Sequence, residues 1–147
     1  MVQPMGVCSE GVWLPCGLNE CLKIGRYHAG CHFSPHIDGP WVPKQDVSSI
    51  FTVVIYLNGP ESDHLYFHGG ETNFLRQLPG MQDNAGDTRE PFSHIEKSKQ
   101  AHEVICSVTP KTGRALIFRH DLLHEGAPLV EGTKFILRCG LHPIPPF

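Results

Sequence analysis

Glycine and proline fall so densely along this chain that a long helix has little room to form. The sequence holds 15 Gly and 13 Pro in 147 residues. Glycine raises the entropic cost of helix and proline removes a backbone donor, so each interrupts regular structure. Between these breaks lie short runs of β character. The clearest is 48–57, Ser-Ser-Ile-Phe-Thr-Val-Val-Ile-Tyr-Leu, whose β-branched and aromatic side chains suit a pleated surface. Asn58-Gly59-Pro60 closes it as a turn. Further strands are expected over 21–27, 32–38, 69–75, 102–108, 114–118, 122–127 and 133–141. Gly39-Pro40, 110–113 and Gly132 supply turns between them. Eight or so short strands at this spacing predict an all-β antiparallel sandwich or jelly roll.

Length and composition narrow the class. A chain of this size forms one domain, 1–147, with a core that needs no disulfide or metal to hold it. Residues 1–20 carry five Gly or Pro and no clear period, and read as an irregular lead-in. The long polar stretch 77–101 reads as a lid or substrate-facing loop, since structureless loops of that length are usually functional or disordered. Net charge is −3 with Lys and Arg scattered, which argues against nucleic acid as a partner. No apolar run approaches a membrane span, and 1–17 lacks the basic and apolar regions of a signal peptide. Six cysteines without a Cys-x2-Cys spacing are expected to be reduced thiols, and a cytoplasmic location follows as the expectation.

The stretch 27–41 carries the chemistry. At its heart is His36-Ile37-Asp38. On a strand, residues two apart share a face, so an imidazole and a carboxylate would converge where a metal could sit. The motif alone is weak, because a chain with ten His produces such pairs by chance. A third ligand must come from downstream, and His120 and His124 are the candidates. Their spacing resembles that of a zinc-protease helix, but the Glu is missing and the context is β. Beyond them, Lys134, Ile136 and Arg138 share one strand face, while Phe135, Leu137 and Cys139 share the other. Two cations facing an apolar interior require an anionic partner.

Several blocks then occur in a telling order. They are Tyr27…Phe33-x-Pro35-His36-x-Asp38, 52–58, Gly69-Gly70-Glu71-Thr72, 113–118, His124-Glu125-Gly126 and Lys134. Together they resemble the Fe(II)- and 2-oxoglutarate-dependent dioxygenases, in particular the prolyl 4-hydroxylase-like branch, over about 21–141. The resemblance implies a double-stranded β-helix, a cupin-like jelly roll with minor helical content. It implies that His36, Asp38 and His124 hold iron, an arrangement that leaves positions open for O2 and cosubstrate. It implies that Lys134 binds the distal carboxylate of 2-oxoglutarate and that Tyr27 helps hold it. Arg138 competes with Lys134 for that role, because its planar fork suits a carboxylate. Thr72 is expected to line the pocket, and Gly69-Gly70 to answer a backbone need. Trp41, Phe51 and 77–101 are expected on the substrate side.

The activity implied is hydroxylation of a C–H bond of a prolyl or other substrate, protein or small molecule. Succinate and CO2 are released, and ascorbate is the accompanying reductant. Two alternatives stay open: a cupin-like metalloenzyme that does not use 2-oxoglutarate, and a non-catalytic interaction domain on the same fold. Family members usually carry helices and further strands ahead of the Tyr27 block. Here 26 residues precede it, so the domain is expected to be either minimal or a shortened form.

Overall fold

The computed structural model describes residues 14–42, 48–62, 65–78 and 102–144. Ten strands and no helix occupy them, so the minor helical content expected from the resemblance has no counterpart among the described residues. Two antiparallel sheets form the architecture. The larger contains β1 (Leu14–Leu18), β2 (Lys23–His28), β4 (Phe51–Tyr56), β5 (Phe67–Gly69), β8 (Ala115–Arg119) and β10 (Leu129–Ile144). The smaller runs β3 (Phe33–His36), β9 (His124–Gly126), β6 (Thr72–Gln77), β7 (His102–Val108). The jelly-roll expectation holds.

The sixteen-residue β10 pairs with four other strands, β1, β2, β4 and β5. Between the sheets, Val54 and Tyr56 of β4, Phe118 of β8 and Ile136 of β10 form the buried cluster. Each comes from the inward phase of its strand, and removing such surface from water contributes about 1.5–3 kcal/mol per large side chain. Tyr27, Phe74 and Leu116 pack at its margin.

Three expectations change here. Residues 14–18 lie within the supposed irregular lead-in, yet form β1 against the end of β10. The pairing shifts register between Pro15 and Gly17, which breaks the period that would have marked a strand. Gly132 is not a turn. It lies inside β10 at φ 81°, and a Cβ there would collide with the Tyr66 carbonyl oxygen, so glycine lets β5 approach. The expected strand over 69–75 is interrupted at Gly70-Glu71, dividing β5 from β6. The expected loop 77–101 begins with the last residue of β6, and from 79 it lies outside the described residues.

Asn58, read from the sequence as part of a turn, is buried. Its side chain donates to the carbonyls of Leu65 and Thr133 and accepts from the Phe135 amide. These bonds tie the end of β4 to β10 one residue from Lys134.

Candidate metal centre

His36 closes β3, and His124 opens β9 directly opposite it in the ladder. Asp38 lies just past the end of β3, where its amide donates to the His120 carbonyl at 3.0 Å. The three side chains therefore meet at one end of the space between the sheets. Their donor atoms all lie within 4.8 Å of one another, the one such group of His, Cys, Asp or Glu among the described residues. His120 contributes its backbone there, and its imidazole is not in the group.

The backbone fixes both imidazoles in the same sense. His36 Nδ1 lies 2.8 Å from the Ser34 carbonyl, and His124 Nδ1 lies 2.8 Å from the Leu122 carbonyl. A carbonyl only accepts, so the proton sits on Nδ1 and the Nε2 lone pair is free. Those lone pairs face Asp38, at 3.6 Å from Oδ1 for His36 and 3.7 Å from Oδ2 for His124. Both separations exceed a hydrogen bond, and His36 Nε2 is buried without a partner among the described residues. Burial above all makes His124 harder to protonate than an ordinary histidine, with the Leu122 carbonyl opposing that shift. Two imidazoles with Nδ1 tied to backbone carbonyls and a carboxylate, converging on one point, fit a divalent cation with open coordination positions.

Asp38 is itself held from two sides. Thr52 Oγ1 donates to Oδ2 at 2.5 Å, and Arg138 Nη1 donates to Oδ1 at 3.2 Å. Such contacts orient a ligating carboxylate and limit its movement.

The same cavity extends to Lys134 over an apolar floor of Val54, Phe118 and Ile136. Lys134 is 5% exposed. Its Nζ donates to the Gly70 carbonyl and lies 5.5 Å from the ring centres of both Tyr27 and Tyr56. No carboxylate among the described residues is within ion-pair distance, and burial pulls the ammonium down to about 8, against a weaker opposing pull from Glu71. Tyr27 stands opposite Lys134 in the β2–β10 register and lines the cavity. Tyr56 is fully buried and bonded to Thr72 at 2.7 Å, and its burial raises the phenol above its ordinary range.

The family model described as the 2OG-Fe(II) oxygenase superfamily matches residues 22–141, most of the chain. The chain belongs to that superfamily. Comparison with curated protein sequences returned no match. Among solved structures, the chain is similar to a 2OG-Fe(II) oxygenase family oxidoreductase from Burkholderia pseudomallei. Identity there is 16% and the TM-score 0.50, over 85% of this chain and 43% of the other. It is also similar to a prolyl hydroxylase from Trichoplax adhaerens in complex with a hypoxia inducible factor oxygen degradation domain peptide fragment. That match has 17% identity and a TM-score of 0.51, over 88% of this chain and 46% of the other. These likenesses establish the fold, and the chain spans less than half the length of either structure.

Within this 2OG-Fe(II) oxygenase fold, His36, Asp38, His124, Lys134, Tyr27, Thr72 and Arg138 all line one cavity. Arg138 and Lys134, rivals for one role from sequence, occupy different parts of it, Arg138 against Asp38 and Lys134 against Gly70. Trp41 lines an adjoining cavity, whereas Phe51 lines neither, because it sits in the opposite phase of β4 from Thr52 and Val54. Thr52 and Tyr56 were missed as site residues. Their signal was the period-two alternation of Thr52, Val54 and Tyr56, which sends all three inward.

Proposed function

We infer that this domain is an Fe(II)- and 2-oxoglutarate-dependent hydroxylase. In this reading His36, Asp38 and His124 hold the ferrous ion. Lys134, with Tyr27 and Tyr56 beside it, receives the distal carboxylate of 2-oxoglutarate. One observation carries the reading: a buried ammonium with no carboxylate partner among the described residues shares a cavity with two imidazoles and a carboxylate. An unpaired buried charge is costly, and a bound carboxylate would supply the missing counter-charge. Since 2-oxoglutarate is anionic at both ends, it answers the metal and the lysine together.

The protein's own contribution is positional. The Ser34 and Leu122 carbonyls hold the imidazoles with Nε2 free, and Thr52 and Arg138 fix the carboxylate. The floor of Val54, Phe118 and Ile136 keeps water from the cosubstrate, which strengthens the pairing at Lys134. The chemistry supplied with iron in place is O2-dependent decarboxylation of 2-oxoglutarate to succinate and CO2, coupled to hydroxylation of a C–H bond. Prolyl peptides are the first substrates to try, because the Trichoplax relative is a prolyl hydroxylase solved with a peptide.

A cupin-like metalloenzyme that does not use 2-oxoglutarate gives no reason for the buried Lys134. The test is succinate release from 2-oxoglutarate with Fe(II) and ascorbate, together with 2-oxoglutarate binding to the Mn(II)-loaded protein. Release is expected from wild type and lost in His36→Ala, and binding is expected to be lost in Lys134→Ala. Absence of binding at millimolar 2-oxoglutarate would overturn the reading and leave a metal protein or an interaction domain.

A further inference from the structure

A second cavity, of about 390 Å³, lies against the first. The two share Asp38, Thr52 and Arg138, which therefore form the partition between them. Lys134 lines only the inner cavity, and Lys23, Trp41 and His120 line only the outer one. We propose that this outer cavity takes a substrate carrying a carboxylate close to the carbon to be oxidised, with Lys23 and Arg138 as the residues that select it. The proposal rests on the hydroxylase reading above and adds the class of substrate.

Charge is the first support. Arg138 and Lys23 are directly opposite each other in the β10–β2 register, so their side chains leave the sheet on the same face. Like charges in that arrangement repel. Among the described residues, Asp38 is the only carboxylate lining the outer cavity, and its two oxygens already serve Arg138 and Thr52. Lys23 has no ion pair among the described residues. Once Asp38 ligates a divalent ion, its charge is spent on that ion, and the cavity faces its ligand with cations in excess.

Donor geometry is the second support. The Arg138 guanidinium has five N–H donors. One goes to Asp38, and no other hydrogen bond joins it to a described residue. An edge of the planar fork is thus available, and two parallel bonds to a carboxylate are what that edge makes best. Because Arg138 touches a carboxylate of the proposed metal site, an anion held there lies beside the reacting position. Trp41 adds an apolar surface to the lining and is steadied by Ser49, whose Oγ accepts from the Trp41 amide at 2.9 Å and whose own amide donates to the Trp41 carbonyl. A compact carbon skeleton with one carboxylate matches these walls.

The carboxylate has two sources, the free acid of a small molecule or an acidic side chain beside the target residue of a peptide. The 147-residue chain, loaded with Mn(II) and saturated with 2-oxoglutarate to fill the inner cavity, is titrated calorimetrically with two matched pairs. They are N-acetyl-L-proline against its amide, and acetyl-Pro-Asp-amide against acetyl-Pro-Asn-amide. The acid member of at least one pair is expected to bind about tenfold more tightly, the scale of one charge-assisted contact. That preference should fall several-fold in Lys23→Gln and in Arg138→Lys, which keeps the charge and removes the fork. Preference within the first pair assigns the free acid, and within the second the peptide side chain. Equal binding within both pairs, no binding of any probe, or a preference that both variants retain overturns the proposal. Mn(II) and 2-oxoglutarate are titrated first with the same protein. If both bind and the acid preference is absent, the proposal falls while the hydroxylase reading stands. If the Lys23-dependent preference persists in protein that does not bind 2-oxoglutarate, the hydroxylase reading falls instead.

Discussion

His36 and His124 face each other across the β3–β9 ladder with ring centroids 4.2 Å apart. A single pairing register therefore sets the distance between two of the three proposed ligands. The two residues are not equivalent in packing. His124 is 6% exposed, and its ring lies 4.6 Å from that of Phe118, whereas the His36 side chain is 22% exposed. Both His36→Ala and His124→Ala are expected to abolish Mn(II) binding. His124→Ala should in addition lower stability by about 2 kcal/mol through the space left against Phe118. Metal titration and urea unfolding of the two variants check this, and equal destabilisation would contradict it.

Thr52 offers a milder perturbation of the same centre. Its hydroxyl bonds Asp38 Oδ2 from a buried position in β4, and valine has nearly the same shape. Thr52→Val should keep the fold and weaken Mn(II) binding by about 10–100-fold, the usual effect of losing a partner of a metal ligand. A variant with unchanged metal affinity would show that Arg138 alone orients the carboxylate.

The buried Lys134 makes a pH prediction with a definite sign. Its folded value of about 8 lies below the ordinary 10.5. Between those values the unfolded chain binds more protons, so this group's contribution to stability is complete above 10.5 and is lost as pH falls toward 8. The size is about 3 kcal/mol from this group alone. Urea unfolding of the metal-free protein across that range, beside Lys134→Met, isolates it, and the variant's profile should be flatter. The affinity for 2-oxoglutarate should run the other way, weakening above pH 8 as the ammonium loses its proton.

Gly70 links backbone shape to the same lysine. Its φ is 72°, and an added Cβ would sit 2.8 Å from Leu129 Cδ1 and 3.2 Å from Lys134 Cδ. Gly70→Ala should cost more than about 1 kcal/mol, because an L side chain is strained at that φ. It should also weaken 2-oxoglutarate binding by displacing the lysine while leaving Mn(II) affinity intact. Parallel titrations of metal and cosubstrate test the separation.

Much of this arrangement was legible from period and spacing. The alternation that placed Lys134, Ile136 and Arg138 on one face of a strand is the one observed, since all three line the cavity. His36 and Asp38 converge as expected, though Asp38 arrives from beyond the end of β3 and is held by the His120 carbonyl. What stayed hidden depends on contacts remote in sequence. Nothing local to Gly132 reports that β5 will press against it, or that β10 runs through it to sixteen residues. Nothing local to 14–18 reports a partner at the far end of the chain. That Lys134 and Arg138 occupy different parts of the cavity also needed the fold, which sets one against Gly70 and the other against Asp38.

The two cations stand four residues apart on one extended strand, about 13 Å along its axis. On the proposed assignment β10 acts as a ruler, with the cosubstrate's far anchor at one mark and the guard of the metal ligand at the other. A ruler of this kind is graduated in whole residue pairs. Inserting a single residue between the marks would turn one cation to the opposite face of the sheet, and inserting two would lengthen the gap by nearly 7 Å. Selectivity for the chain length of a dicarboxylate would then be quantised by the backbone. Side-chain substitution could loosen the grip of such a site, but it could not rescale it.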